Sequence, residues 1–417
     1  MIREEVSSHY DKFRSNSVPA NYIGVGVNEV QSFNMESLLG VTVRKDSDSF
    51  RQFSVNVKIG TPQSRYFRPL VGGVKLDCSY SSEERFDGDL AHLRTVVSDR
   101  IQSVYDGMPK NSKAFRFLND SIPDLSDVYY YSRLSPSKYY ELPLYEEEID
   151  MNSWESLINE VCSVFRVNDY DISASVTLRC KMERKYLVTS DGIEVVTNNH
   201  SYLISISAHI LTEDGEKIPL INDFFFSKKE SLPSKAELRL TAEEMLSRLQ
   251  TLYAAPCIDS YDGPVLFGGI ATGVLMHEII GHRLESVRSQ NEMSAVSRHM
   301  NSKVFADFIQ ISDNPTMKEY ATIPLVGYYL YDDEGVPAQK LECIKNGTLA
   351  SYLTSRTPFY EGSVSNGHGR GEFTKEPTAR QANLFVSSSK PYADSLLRAM
   401  LVTEIKKQDK EYGYYIP

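Results

Sequence analysis

His277, Glu278 and His282 are the residues of this chain whose types and spacing could do chemistry. Imidazole nitrogens are the usual neutral ligands of Zn²⁺, and a carboxylate beside the first ligand can stand next to a metal-activated water and take its proton. The chemistry this suggests is metal-assisted hydrolysis. The common H-E-x-x-H pattern puts its histidines four residues apart on one helix face, whereas here they are five apart. At about 3.6 residues per turn, five steps rotate the second ring roughly 140° from the first, so a regular helix would not aim both at one ion. A single i→i+5 turn would bring them back over one another, and a bulge or break is predicted between Glu278 and His282, at Gly281. A plainer reading competes with this one. Ile270, Val274, Leu275, Ile279, Ile280, Leu284 and Val287 make an apolar helix that could simply be core, carrying two incidental histidines.

The elements around this helix follow from local pattern. GPVLF, residues 263–267, reads as a short strand running through Gly268-Gly269 into it, so the site begins at a strand-to-helix junction. The polar region Ser289 to Ser302 is expected to cover the mouth. Thr322 to Tyr331 and Gln339 to Ile344 read as strands. Asn346-Gly347 marks a hairpin turn followed by TLASYLTSR, and Ala393 to Lys407 reads as a last helix. Residues 256–417 are therefore expected to form a mainly antiparallel β domain carrying the histidine helix, set off by Pro256 and Asp262-Gly263-Pro264.

Residues 1–255 read as a separate sheet-and-helix domain, which makes the fold class α+β. A first helix, Glu4 to Phe13, precedes three alternating runs, YIGVGV, SLLGVTVRK and FSVNVKIG, and a helix from about Gly88 to Tyr105. After a connector, Pro109 to Leu144, in which YYYS and SKYYE are expected to pack against a neighbour, the pattern recurs. Helix Ser153 to Phe165 leads into ISASVTLRC, GIEVVTN and SYLISISAHIL, with SDG and TEDGE as turns, and a helix from about Thr241 to Tyr253. Segments 21–107 and 168–253 thus look like a duplicated unit of β-meander plus helix, able to build one sheet backed by helices.

Composition narrows the classes of function. A chain of 417 residues, 24% charged and 41% hydrophobic, has the balance of a soluble globular protein with room for two or three domains. A net charge of −11 with dispersed basic residues argues against direct nucleic-acid contact. No apolar run approaches the roughly 18 residues of a membrane helix. The N-terminus MIREEVSSHYDKF has no apolar h-region, so the expectation is a cytoplasmic protein, or a chain that begins after a removed signal. Cys78, Cys162, Cys180, Cys257 and Cys343 form no C-x-x-C pair, which excludes a disulfide framework and a structural zinc site and leaves small buried residues as their reading.

With these residues assembled, the chain resembles the TldD/PmbA family of peptidases, once described as modulators of DNA gyrase. The resemblance rests on GPVLFGGIATGVLMHEIIGH with its H-E-x-x-x-H spacing, then LASYLTSRTP, SNGHGR and PTARQANLFV, and is strongest from Asp262 to about Val386. It implies a zinc-dependent peptidase acting on unfolded or short peptides, with one Zn²⁺ per site held by His277 and His282 and Glu278 as the proton acceptor. It also implies homodimers, or heterodimers with a related subunit; a non-catalytic partner subunit with an incomplete metal site is the alternative. Active members have a third ligand similar to a cysteine near the C-terminus. The chain stops at Pro417 before anything resembling that segment, so its second domain is expected to be truncated and its zinc weakly held. Glu285, three residues past His282, is then the first substitute ligand, with His299 and His368 behind it and Cys343 unsuited by its strand. Asn366, Gly367, His368 and Arg370 are candidates for substrate contact, against the reading that they form a tight turn held within the fold.

Overall fold

Long alternating strands, each backed by helices, dominate the first 255 residues. After α1 (Ile2–Phe13), β1 (Ala20–Leu38) and β2 (Val41–Ile59) form one hairpin of two 19-residue strands. Its turn places Leu39 at φ 46° and Gly40 at φ 82°, the doubly left-handed geometry that matches strand twist. β3 (Ser79–Phe86) and α2 (Leu90–Gly107) complete the unit. The connector contributes β4 (Ser137–Tyr140), and the second unit repeats the order as α3 (Met151–Ser163), β5 (Ile172–Thr189), β6 (Ile193–Leu211), β7 (Lys217–Phe226) and α4 (Lys235–Ala254). The computed structural model describes residues 1–59, 70–71, 74–75, 79–86, 90–108, 131–132, 134–143, 150–166, 170–228, 231–258, 260–286, 300–357, 364–373 and 375–417.

The strands make one sheet in the order β3-β2-β1-β5-β6-β4, with β7 also on β6. The two hairpins join through antiparallel β1 and β5, from Gly24 opposite Thr189 to Leu38 opposite Ser175. Phe13, Phe53, Val97 and Ile101 pack α1 and α2 onto one half. Trp154, Ile158, Leu178, Ile204 and Leu249 pack α3 and α4 onto the other. Both second-unit helices are capped from their own sequence: Asp150 accepts from the N–H groups of Asn152 and Ser153, and Ser234 forms a capping box with Glu237.

Several strand expectations change here. SLLGVTVRK is the tip of the β1–β2 hairpin, not a separate strand, and GIEVVTN with SYLISISAHIL is the single strand β6. The polar stretches read as turns lie within strands and pair across them, as Arg51 does with Glu29 and Asn34 with Asp46. The third strand of the second unit is KIPLINDFFF, whose mixed pattern concealed it. The connector supplies a strand where none was expected, and Tyr139 stacks on Tyr331 of the second domain with ring centroids 4.5 Å apart.

The second domain begins with β8 (Val265–Phe267) and α5 (Gly269–Met276), which runs through a π turn (His277–Gly281) into α6 (His282–Leu284). β9 (Ile309–Asp313), β10 (Leu341–Lys345) and β11 (Thr348–Leu349) follow, the last two joined at Asn346-Gly347 with φ 47° and 74°. Then come β12 (Gly369–Arg370), β13 (Thr378–Ala379), β14 (Leu384–Ser388), α7 (Asp394–Lys407) and β15 (Tyr414–Ile416). The main sheet is ordered β11-β10-β9-β14, and β15 pairs in parallel with β8.

Strand is shorter here than the pattern predicts. Within Thr322 to Tyr331 only Ile323–Pro324 is strand, and TLASYLTSR leaves the sheet after Leu349. Its buried backbone bonds elsewhere: Thr354 N–H donates to Asn366 Oδ1, and Arg356 C=O accepts from Ser132 N–H. The predicted cover Ser289 to Ser302 lies mostly outside the described residues, as do Cys78, Val287 and His299.

The face of the first sheet turned away from its helices docks on the second domain. Gly26 of β1 leaves room for Phe373, which an added Cβ would approach to 3.1 Å. Lys58, 1% exposed, pairs with Glu376. Arg356, fully buried, pairs with Asp191 and lies 4.0 Å and 5.0 Å from the ring centroids of Tyr131 and Tyr22. Lys58, Asp332, Glu334 and Glu376 line a cavity of about 110 Å³ at this junction.

Candidate metal centre

The five-residue spacing is resolved by the backbone. His282 N–H donates to His277 C=O, an i→i+5 bond, and His277–Gly281 forms one π turn between two α segments. The rings of His277 and His282 consequently meet, with centroids 4.4 Å apart and planes at 74°. One ligand atom from each of His277, Glu278 and His282 falls within 4.8 Å of the other two. The side chains are 46%, 64% and 21% exposed respectively, so the group opens to solvent from a fixed floor.

That floor is apolar. Ile280 and Leu284 point into a core with Ile311, Ile344, Leu349, Tyr352 and Leu353. The rest of the helix does not fit the plain core reading, because no residue of α5 is buried and Ile270 and Val274 are 83% and 60% exposed. Cys343 lies in the same core, where burial pushes its thiol up to about 12, consistent with a packing role.

Glu285, expected as a substitute ligand, stands behind His282. It is 1% exposed; its Oε1 lies 3.2 Å from His282 Nδ1 and its Oε2 accepts from Arg380 Nη1 at 3.1 Å. A carboxylate facing Nδ1 holds the N–H there and leaves the Nε2 lone pair for an ion. His277 turns its Nε2 into the group, 3.9 Å from Glu278 Oε1. Two imidazole lone pairs with a neighbouring carboxylate suit Zn²⁺.

The loop candidates are built into the protein one layer below. Asn366 Oδ1 accepts from Thr354 N–H and its Nδ2 donates to Tyr352 C=O. Gly367 sits at φ 77° with no room for a Cβ beside Pro337 O. His368 is fully buried between Asn366 and Asp313. Arg370 pairs with Asp333 and stacks on Tyr329. The substrate-contact expectation is thus corrected for Asn366, Gly367 and His368, whose polar groups are satisfied inside the fold, and Arg370 is held the same way. Their effect on the centre is indirect, since His368 C=O accepts from Arg380 N–H and Asp313 accepts from Ala382 N–H.

Arg380 and Gln381, between those anchors, reach the centre from some 100 positions along the chain. Arg380 holds Glu285, and the Gln381 amide lies beside both imidazoles. PTARQANLFV contains both, but no spacing rule connects them to the helix.

Comparison with known proteins places the chain. Residues 260–414 match the model of the PmbA/TldA metallopeptidase C-terminal domain. It is similar to a metalloprotease of Archaeoglobus fulgidus, 29% identical over 60% of this chain and 55% of that protein. A metalloprotease of Methanocaldococcus jannaschii is 25% identical over 58% of this chain and 57% of its own length. A zinc metalloprotease TldD homolog of Saccharolobus solfataricus is 22% identical over 57% and 52%. The chain thus spans little more than half the length of these relatives. In fold it is similar to the crystal structure of TldE from Thermococcus kodakarensis, at TM-score 0.64 and 14% identity over 95% of this chain and 80% of that one. Among the described residues, no helix is long and apolar enough to cross a membrane.

Proposed function

We propose that this chain carries the catalytic centre of a zinc-dependent peptidase that hydrolyses unfolded or short peptides. The observation that carries the reading is the π turn, which brings His277 and His282 together with Glu278 beside them. His277 Nε2 and His282 Nε2 would hold the ion, which when bound supplies an acidified water and a Lewis acid for a carbonyl. Glu278 is the residue free to move a proton: its carboxylate is 64% exposed and lies within 3.9 Å of His277 Nε2, where it can accept a proton and return it to a leaving amine. Glu285 and Arg380 keep His282 in the ligating tautomer.

The substrate would lie extended along an exposed sheet edge, because main-chain pairing requires no particular sequence. The exposed residues Ile270 and Val274 of α5 and Leu396, Met400 and Val402 of α7 support a dimer, either with a second copy or with a related subunit, since apolar area of this kind marks an interface. Glu278→Gln tests the catalytic assignment. Turnover of an unstructured peptide should fall at least a hundredfold while zinc stays bound, and His277→Ala should lose the zinc. Activity that survives Glu278→Gln would remove the role given to that carboxylate.

A further inference from the structure

The face that β1 and β2 turn toward the second domain carries two glycines, and the cavity at the domain junction lies over them. Gly24 and Gly26 are alternate residues of β1, and a Cβ on Gly26 would stand 2.9 Å from Ser54 Oγ and 3.1 Å from the Phe373 ring. The cavity volume of about 110 Å³ is that of roughly three or four waters, or of a guest with about four to six non-hydrogen atoms. Both domains line it, with Asn56 and Lys58 of β2 on one side and Asp332, Glu334 and Glu376 on the other.

Charge and hydrogen bonding agree on what suits this space. Each lysine among the described lining residues has a carboxylate of its own there: Lys58 pairs with Glu376, Lys185 with Asp333 at 3.4 Å, and Lys375 with Glu372 at 2.8 Å. Asp332 and Glu334, 3% and 2% exposed, are left with no ion pair among the described residues. Asp332 accepts from the N–H groups of Glu334, Val336 and Gly369, and Glu334 accepts from Arg356 N–H and Tyr131 O–H. Arg356 and Lys58 act on Glu334 only at longer range, and burial pushes Asp332 up to about 7 and Glu334 up to about 8. Among the described lining residues, the one buried side-chain atom without a hydrogen-bond partner is an acceptor, Asn56 Oδ1. Two carboxyls short of a cation and an acceptor short of a donor call for the same guest, a cation that donates hydrogen bonds. Leu187, Val195 and Phe373 line the same cavity and suit a small apolar group attached to it.

We propose that the domain-junction cavity binds a small primary ammonium group, whose three hydrogens go to Asn56 Oδ1 and to the carboxylates of Asp332 and Glu334. A compact ammonium carries three donors and no acceptor, which matches the three groups in want of a partner. A calcium- or magnesium-type ion needs about six oxygens or more around it, and the apolar wall supplies none. Asn56 belongs to the first domain and the two acids to the second, so the bound group bridges the domains and stabilises their junction. It can come from a free amine, or from a peptide N-terminus whose chain leaves past Glu372 and Lys375, the exposed pair on the lining. Nothing in this site depends on the metal centre.

Calorimetry of the purified chain, with EDTA present so that the metal centre takes no part, compares n-propylamine with 1-propanol, which has the same shape and no charge. At about pH 8.5 both carboxyls have lost their protons while the amine keeps its own. The amine should then bind at least about tenfold tighter than the alcohol, the ratio that hydrogen bonds to charged groups supply. Asn56→Leu and Glu334→Gln should each weaken the amine at least about fivefold. Hydrogen exchange of the wild-type chain locates the guest without a variant: the Glu334, Val336 and Gly369 amides, all bonded to Asp332, should exchange more slowly with the amine present. A tripeptide amide with a free N-terminus that binds while its N-acetyl form does not identifies a chain end as the source; propylamine binding with neither peptide identifies free amines, and both outcomes uphold the site. The proposal fails if amine and alcohol bind wild type within about twofold of one another, if both folded variants bind the amine as wild type does, or if exchange of those three amides is unchanged; the cavity then holds water only.

Discussion

Replacing Glu285 with alanine tests how the centre is held together. Its carboxylate, 1% exposed, faces His282 Nδ1 at 3.2 Å and accepts from Arg380 Nη1 at 3.1 Å. Without it, nothing selects the tautomer with hydrogen on Nδ1, and the alternative puts the proton on the nitrogen that would bind the ion. Arg380, whose side chain is 45% exposed, turns into water, so the loss falls mainly on His282. A hydrogen bond to a charged group contributes about 1.5–3 kcal/mol. At 1.4 kcal/mol per factor of ten, zinc affinity should fall by roughly 10- to 150-fold. Glu285→Gln still offers an oxygen to Nδ1–H and should lose about tenfold at most. Chelator competition reads the affinity, and thermal unfolding shows that each variant is folded. A folded Glu285→Ala protein that binds zinc within twofold of wild type, while His282→Ala does not bind, would refute this account of the tautomer.

Two further predictions concern the domain junction. Burial pushes Asp332 up to about 7 and pushes Glu334, with Asp332 beside it, up to about 8; Arg356, Lys58 and Tyr131 also face Glu334. A folded pKa raised above the unfolded value of 4.5 means that stability is fully present below about pH 4.5 and is lost as pH rises through about 8. Glu334→Gln, which can still accept from Arg356 N–H, should flatten this slope, by a few kcal/mol at most between pH 5 and 8.5; an unchanged slope in urea unfolding at the two pH values would contradict it. Lys58→Met leaves Glu376 without its buried partner and should cost about 3 kcal/mol, with part recovered in Lys58→Met/Glu376→Gln; chemical denaturation that finds the single variant as stable as wild type would argue against a buried pair there.

The local elements around the centre were legible because each is specified over a few residues. Asp150 and Ser234 with Glu237 start helices whose apolar stripes are plain, and Asn346-Gly347 closes its hairpin as a dipeptide should. Even the π turn could be anticipated, since two histidines five apart with a glycine between them cannot face one ion on a regular helix. Strand length was harder to read. The polar residues that interrupt β1, β2 and β6 look like turns in one dimension and become cross-strand pairs once a partner strand lies opposite.

By itself the amino-acid sequence determined the chemistry available, His277, Glu278 and His282, and the local backbone geometry that lets them meet. The tertiary structure alone decided what surrounds them. Glu285 points back at His282 because Arg380 is there to receive it. The SNGHGR loop supports the site from beneath because its polar groups are consumed by Thr354, Tyr352 and Asp313. Gln381 arrives beside both rings from the loop between β13 and β14, about 100 residues away. Contacts of that kind depend on how sheets and loops stack, and spacing along a chain carries information only about residues that share an element.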